Sequence, residues 1–183
     1  DALLENGYKV VSFDAPAHGK SSTKSSLMPE FIASIHEIDK KFGPFEFAIG
    51  HSLGGMSIVN AVSQGFNINK GIIIGSGDII QDIIDDFIKK ISLKPKIGVM
   101  MKEYFEKKFN EPMENYATSN ASKKIKIPFL IIHDENDEDV HFSAAKNINN
   151  NLLGSKLIIT KKLGHRKILG DKFVIENIIS FLK

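Results

Sequence analysis

Ser52 stands in the run Gly50-His51-Ser52-Leu53-Gly54-Gly55, with a glycine two positions away on either side. A serine hydroxyl is too weakly acidic to attack a carbonyl unaided. Chemistry there needs a base within hydrogen-bonding reach, and the base needs a carboxylate to hold its tautomer and steady its cation. Among six histidines, His165 is the candidate base, because it follows the apolar run Lys156–Thr160 on a loop beginning at Lys161. The carboxylate candidates lie in His133-Asp134-Glu135-Asn136-Asp137-Glu138-Asp139-Val140, directly after the apolar run Phe129–Ile132. A nucleophile, a base and an orienting acid make up the equipment of two-step acyl transfer. A bare G-x-S-x-G arises by chance in about one chain of this length in fifteen, so its weight rests on what flanks it.

The flanks read as strand, turn and helix. Phe45–Ile49 is a short apolar strand and Met56–Gln64 a helix-like stretch, the context a strained nucleophile turn requires. Side chains at positions 50 and 54 are expected to collide with the neighbouring strand and helix, which glycine avoids. The amide of Leu53, at the helix start, is expected to face the developing oxyanion. Further strands are expected at Tyr8–Phe13, Lys70–Ile74, Pro128–His133 and Lys156–Thr160. Helices are expected at Pro29–Phe42, Phe142–Leu153 and Asp171–Leu182, from apolar positions recurring every three or four residues. Strands alternating with helices predict an α/β fold, with a mostly parallel sheet covered on both faces. Open sheets of this kind place ligands at the carboxyl ends of their strands, where the runs preceding Ser52, Asp134 and Lys161 all terminate.

Asp78–Ser122 breaks the rhythm. Ile79, Ile80, Ile83, Ile84, Phe87, Ile88 and Ile91 form one helical stripe and Ile97, Met100, Met101, Tyr104, Phe105 and Phe109 another, with no strand between. The chain therefore reads as a core in two parts, 1–77 and 123–183, with a helical insertion at 78–122.

The 183 residues fit one domain, and 42% hydrophobic with 25% charged residues is ordinary globular composition. No apolar run approaches the roughly 18 residues that cross a bilayer. A net charge of +2 with interspersed signs outlines no nucleic-acid surface and suits small neutral substrates. The absence of cysteine removes disulfides, thiolate catalysis and Cys-ligated zinc, while leaving the compartment open. His133 and His141 flank acids, but no H-E-x-x-H or Cys/His pattern supports a metal site.

Four motifs in order resemble the α/β-hydrolase family, near its serine esterase and lipase-like branch. Asp14-Ala15-Pro16-Ala17-His18-Gly19-Lys20-Ser21 is similar to the family's D-x-P-G-H-G-x-S loop, with Ala17 at the usual glycine. Gly50 to Gly55 is similar to its nucleophile elbow, His133 to Val140 to its H-G-x-x-D-x-x-V acid loop, and Gly164-His165 to its terminal G-H. The order Ser, acid, His is that of the family. The resemblance implies Asp137 as the acid, with Asp134 and Asp139 as alternatives, and hydrolysis of a small-molecule carboxylic ester without a cofactor. It also implies that 78–122 caps the nucleophile, with Met100, Met101, Phe105 and Phe109 lining an acyl pocket. Serine at position 52 weighs against the dehalogenases and epoxide hydrolases of this fold, which carry Asp there.

The family also has three strands upstream of the one ending at Asp14, the third lying between the fourth and fifth and preceding a loop that donates a second oxyanion amide. The fold is therefore expected to be N-terminally incomplete, or to have its strands rearranged or paired with another copy. Loss of one oxyanion donor costs about 10² to 10³ in turnover, so weak activity is expected from these residues alone. Thioesterase, amidase or acyltransferase chemistry, or a noncatalytic binding role on the same fold, are the rival readings.

Overall fold

The apolar runs at Lys70–Ile74 and Phe129–Asp134 are buried on both faces, which is why they are almost continuously hydrophobic rather than alternating. In the computed structural model, which describes residues 1–183, they are the inner strands β2 and β3 of a parallel sheet. Phe47–His51 (β1) and Lys156–Thr160 (β4) are its edges, in the order β1-β2-β3-β4. Ile49 pairs with Ile72, Ile72 with Leu130, and Ile132 with Ile158.

The helices are α1 (Ala2–Glu5), α2 (Met28–Phe42), α3 (Leu53–Ser63), α4 (Ile80–Lys90), α5 (Lys96–Phe109), α6 (Thr118–Ser122), α7 (Ser143–Asn151), α8 (Gly164–Lys167) and α9 (Lys172–Leu182). On one face of the sheet Ile73, Phe129 and Ile131 pack with Ile32 of α2, Met56 and Val59 of α3 and Ile148 of α7. On the other face Ile72, Ile74, Leu130 and Ile132 meet Val174, Ile178 and Leu182 of α9. Local signals set the helix starts. The Glu30 carboxylate accepts the Leu27 amide at 2.6 Å at the head of α2, and Asp171 accepts the Val174 amide at 3.1 Å at the head of α9.

The strand expected over Tyr8–Phe13 does not form. No backbone group from Lys9 to Phe13 enters a backbone hydrogen bond, and Val10, Val11 and Phe13 are 41–48% exposed. The cause is the lack of a neighbour. A strand is held by its ladder, and β1 pairs only with β2, so β1 is itself an edge, with Ile49 exposed. Two boundaries also move. The strand expected at Phe45–Ile49 runs to His51, ending directly before Ser52, and the helix expected from Met56 begins at Leu53. Gly54 and Gly55 in its first turn carry no side chains to mark a helical period.

Residues 78–122 are helical, and their two ends are stapled together. Thr118 donates its amide to the Asp78 carbonyl at 3.0 Å and its hydroxyl to the Gly77 carbonyl at 2.8 Å, and the Ser119 amide donates to the Asp78 carboxylate at 2.7 Å. Phe105, Met113 and Tyr116 join the same apolar cluster as Met56 and Ile73, so this segment shares its packing with the sheet. No helix is long and apolar enough to cross a membrane.

Candidate active site

β1 delivers the chain to Ser52 and α3 takes it away, so the serine is forced through a sharp reversal. Its φ of 54° and ψ of −123° lie where side-chain-bearing residues are strained, a state that persists only where surrounding structure imposes it. Here the Ser52 amide is held by the Ile74 carbonyl at 2.9 Å, and its own carbonyl accepts from the amides of Gly55 and Met56. A Cβ at Gly50 would lie 2.5 Å from the Gly54 carbonyl oxygen, so the reversal requires glycine there. The same expectation for Gly54 fails, because a Cβ there would meet nothing within 4 Å. The second crowded position is Gly55, whose Cβ would come within 2.9 Å of Ser76. Leu53 is the first residue of α3, where a backbone N–H has no acceptor inside the helix.

The acid comes from the loop after β3. Asp137 is 7% exposed. Its Oδ1 accepts the amides of Asp139 and Val140, both at 2.9 Å, and its Oδ2 accepts from His165 Nδ1 at 2.7 Å. A carboxylate only accepts, so Nδ1 carries the proton, and in the neutral imidazole it is Nε2 that presents a lone pair. Of the alternative acids, Asp139 is exposed and pairs with Lys90. Asp134 is fully buried and serves as a brace between two loops. It accepts from the Thr160 hydroxyl at 2.7 Å, the Leu163 amide at 3.1 Å and the Asn136 amide at 3.0 Å. Burial alone would raise its pKa, but these bonds and one from the Gly164 amide outweigh it and hold the carboxyl below its ordinary value.

Two further histidines surround the pair. His51 donates Nε2–H to the His165 carbonyl at 2.8 Å, and the two rings lie 4.5 Å apart. Fully buried His133 donates Nε2–H to the Val140 carbonyl at 2.9 Å and places that nitrogen 3.6 Å from Asp137 Oδ2. Burial pushes both imidazoles below their ordinary pKa, despite the carbonyl each one binds. Neutral neighbours leave the Asp137 charge to His165.

Gly75 completes the geometry, and its role is not visible in the sequence, where it is one glycine among several after an apolar run. A Cβ there would lie 3.2 Å from His165 Nδ1 and 3.4 Å from Asp137 Oδ2, so its absence lets the imidazole lie against the end of β2. The residue before it, Ile74, binds the Ser52 amide. Ser52, His165 and Asp137 thus gather at one rim of the sheet, although no hydrogen bond joins Ser52 Oγ to His165 Nε2. The residues expected to line an acyl pocket do not gather there. Phe105 and Phe109 pack on each other, ring centroids 5.0 Å apart, with Phe105 in the core. Met100 and Met101 are exposed on the outer surface of α5. A helix has room for only one core-facing stripe, and Phe105 and Phe109 occupy it. A cleft of about 490 Å³ instead opens between α4 and the acid-bearing loop, bordered by Asp78, Ile79, Ile83, Val140 and His141.

Residues 1–80 match the family described as the α/β hydrolase fold. Among solved structures, an esterase from Exiguobacterium antarcticum superposes with a TM-score of 0.75 at 18% identity, covering 98% of this chain and 83% of that one. The Pyrococcus furiosus esterase Pf2001 gives 0.72 at 21% identity, covering 99% and 72% respectively. A bromoperoxidase from Bacillus anthracis gives 0.71 at 17% identity, covering 99% and 83%. No curated protein matches by sequence. An esterase and a bromoperoxidase share one backbone here, so the likeness fixes the fold and leaves the chemistry to the site.

Proposed function

We propose that this chain, which has the α/β-hydrolase fold, is a serine hydrolase of carboxylic esters. The observation that carries the proposal is the 2.7 Å pairing of His165 Nδ1 with buried Asp137 at the rim where the strained Ser52 turn emerges. In this mechanism Ser52 Oγ bonds to the ester carbonyl carbon as His165 Nε2 takes its proton. The carbonyl oxygen becomes an oxyanion facing the Leu53 amide. Collapse breaks the bond to the alkoxide, which leaves with the proton returned from His165. Water, deprotonated by the same nitrogen, then attacks the acyl carbon, and collapse breaks the bond to Ser52 Oγ, which takes the proton back from His165 as the acid leaves. The Ser52–His165 hydrogen bond forms with substrate in place, as unliganded sites often hold such pairs apart.

A fluorophosphonate probe followed by peptide mass mapping tests this directly. Labelling is expected at Ser52, is abolished in Ser52→Ala, and is accompanied by turnover of short-chain aryl esters. A folded protein that takes up no probe points to a noncatalytic binding role. Faster turnover of matched thioesters or amides than of esters moves the assignment to those substrates.

A further inference from the structure

Helix α4 and its reversal into α5 are electrically divided along the chain, while the returning end of α5 is mixed, with Glu103, Glu106, Lys107 and Lys108. From Asp78 to Asp86 the chain carries Asp78, Asp82, Asp85 and Asp86 and no base; from Phe87 to Lys102 it carries Lys89, Lys90, Lys94, Lys96 and Lys102 and no acid. The acidic stretch is the root end of α4, stapled to the body through Asp78. The basic stretch is the tip, where α4 ends at Lys90 and α5 begins at Lys96. Lys90 is paired with Asp139 and Lys102 with Glu106 and Glu114, but Lys89, Lys94 and Lys96 have no ion-pair partner. Within one helical turn of the reversal on either side, Phe87, Ile91, Leu93, Val99 and Met100 are 44–59% exposed. These side chains neither enter the core nor line the cleft beside the acid loop.

We propose that this tip docks on an anionic lipid bilayer, the apolar side chains entering the interfacial region while Lys89, Lys94 and Lys96 stay among the headgroups. Lysine stems can lie along apolar surface with the ammonium in water, so both sets of side chains are accommodated at once. Asp78, Asp82, Asp85 and Asp86 lie toward the other end of α4, which favours an approach with the reversal foremost. With a net charge of only +2, the attraction is local to the tip. Tip-to-tip pairing with a second copy would set two basic ends against each other, and tip-to-root pairing would leave Leu93 and Val99 facing acids rather than an apolar medium. Nucleic acid would satisfy the lysines but offer no apolar medium for Leu93 and Val99. The proposal is independent of the chemistry assigned to Ser52.

Co-sedimentation with vesicles tests it, using phosphatidylcholine alone and phosphatidylcholine containing phosphatidylserine. Binding is expected only to the anionic vesicles at low ionic strength and is expected to weaken with added salt. Each lysine near such a surface is worth about fivefold in partitioning, so Lys94→Glu with Lys96→Glu should cut binding at least about 25-fold. Leu93→Ser with Val99→Ser should cut it roughly tenfold through lost apolar burial. Lys123→Glu with Lys124→Glu, an equal charge change elsewhere, should leave it unchanged. All these sites are exposed, and far-UV circular dichroism verifies folding. Failure of the parent chain to bind anionic vesicles overturns the proposal, as does an equal loss in the Lys123/Lys124 variant. If the Leu93/Val99 variant binds vesicles as well as the parent and soluble heparin competes fully, the tip is a general polyanion site and the lipid assignment is wrong.

Discussion

Tyr8–Phe13, which runs into Asp14, and Phe129–Asp134 are both β-rich, yet the first makes no backbone hydrogen bond from Lys9 to Phe13 while the second is an inner strand buried along its length. Their propensities are alike; their neighbours are not. β3 has β2 and β4 on its two sides and helices over both faces, whereas β1, the free edge of the sheet, does not pair with Tyr8–Phe13. The loops that follow differ accordingly. The one after β3 holds Asp137 with three hydrogen bonds to one carboxylate. The one after Phe13 is closed by bonds internal to itself, such as the Lys20 amide on Asp14 at 2.8 Å and the Ala17 amide on Thr23 at 2.7 Å. Strand formation is therefore a property of pairing more than of composition, and functional loops are only as well placed as the strands that present them.

The contrast is sharpest in activity. Asp137→Asn leaves the shape of the site intact but removes the acceptor that fixes the His165 tautomer, so kcat on esters is expected to fall by about 10⁴. A fall of less than tenfold would assign the orienting role elsewhere. In stability, Ile132→Ala in β3 is expected to cost about 2–5 kcal/mol, while Val11→Ala in the unpaired segment should stay within about 0.5 kcal/mol, both read from urea unfolding midpoints. Equal costs would mean that Tyr8–Phe13 is paired in solution.

The pH response has a definite sign. Burial holds the folded-state pKa of His133 and His51 below the ordinary value near 6.5. Between the folded and unfolded values the unfolded chain binds more protons, so the contribution to stability is fully present above about 6.5 and is lost as pH falls below it. His133→Gln, which keeps a donor toward Val140, should flatten part of that decline in melts between pH 7 and 5. An unchanged slope would place the titrating groups elsewhere. Ala17 has a φ of 64°, a left-handed conformation that costs a residue with a Cβ about 1 kcal/mol. Ala17→Gly should therefore stabilise the fold by up to about 1 kcal/mol, visible as a raised urea midpoint with an unchanged slope.

Periodicity and spacing alone determined the α/β class, four of the strands, the helical character of 78–122 and the strand-to-helix turn at Ser52, because these follow from interactions within about ten residues along the chain. The resemblance singled out Asp137, and the residues by themselves did not choose between it, Asp134 and Asp139. That choice is tertiary: Asp134 is spent bracing the loops after β3 and β4, Asp139 faces Lys90, and only Asp137 meets His165. Likewise Gly75, the His51 contact with His165, and the division of α5 into core-facing Phe105 and exposed Met100 depend on groups brought together from distant parts of the chain. Sequence sets what each segment can do, and the company it keeps across the sheet decides which of those things it does.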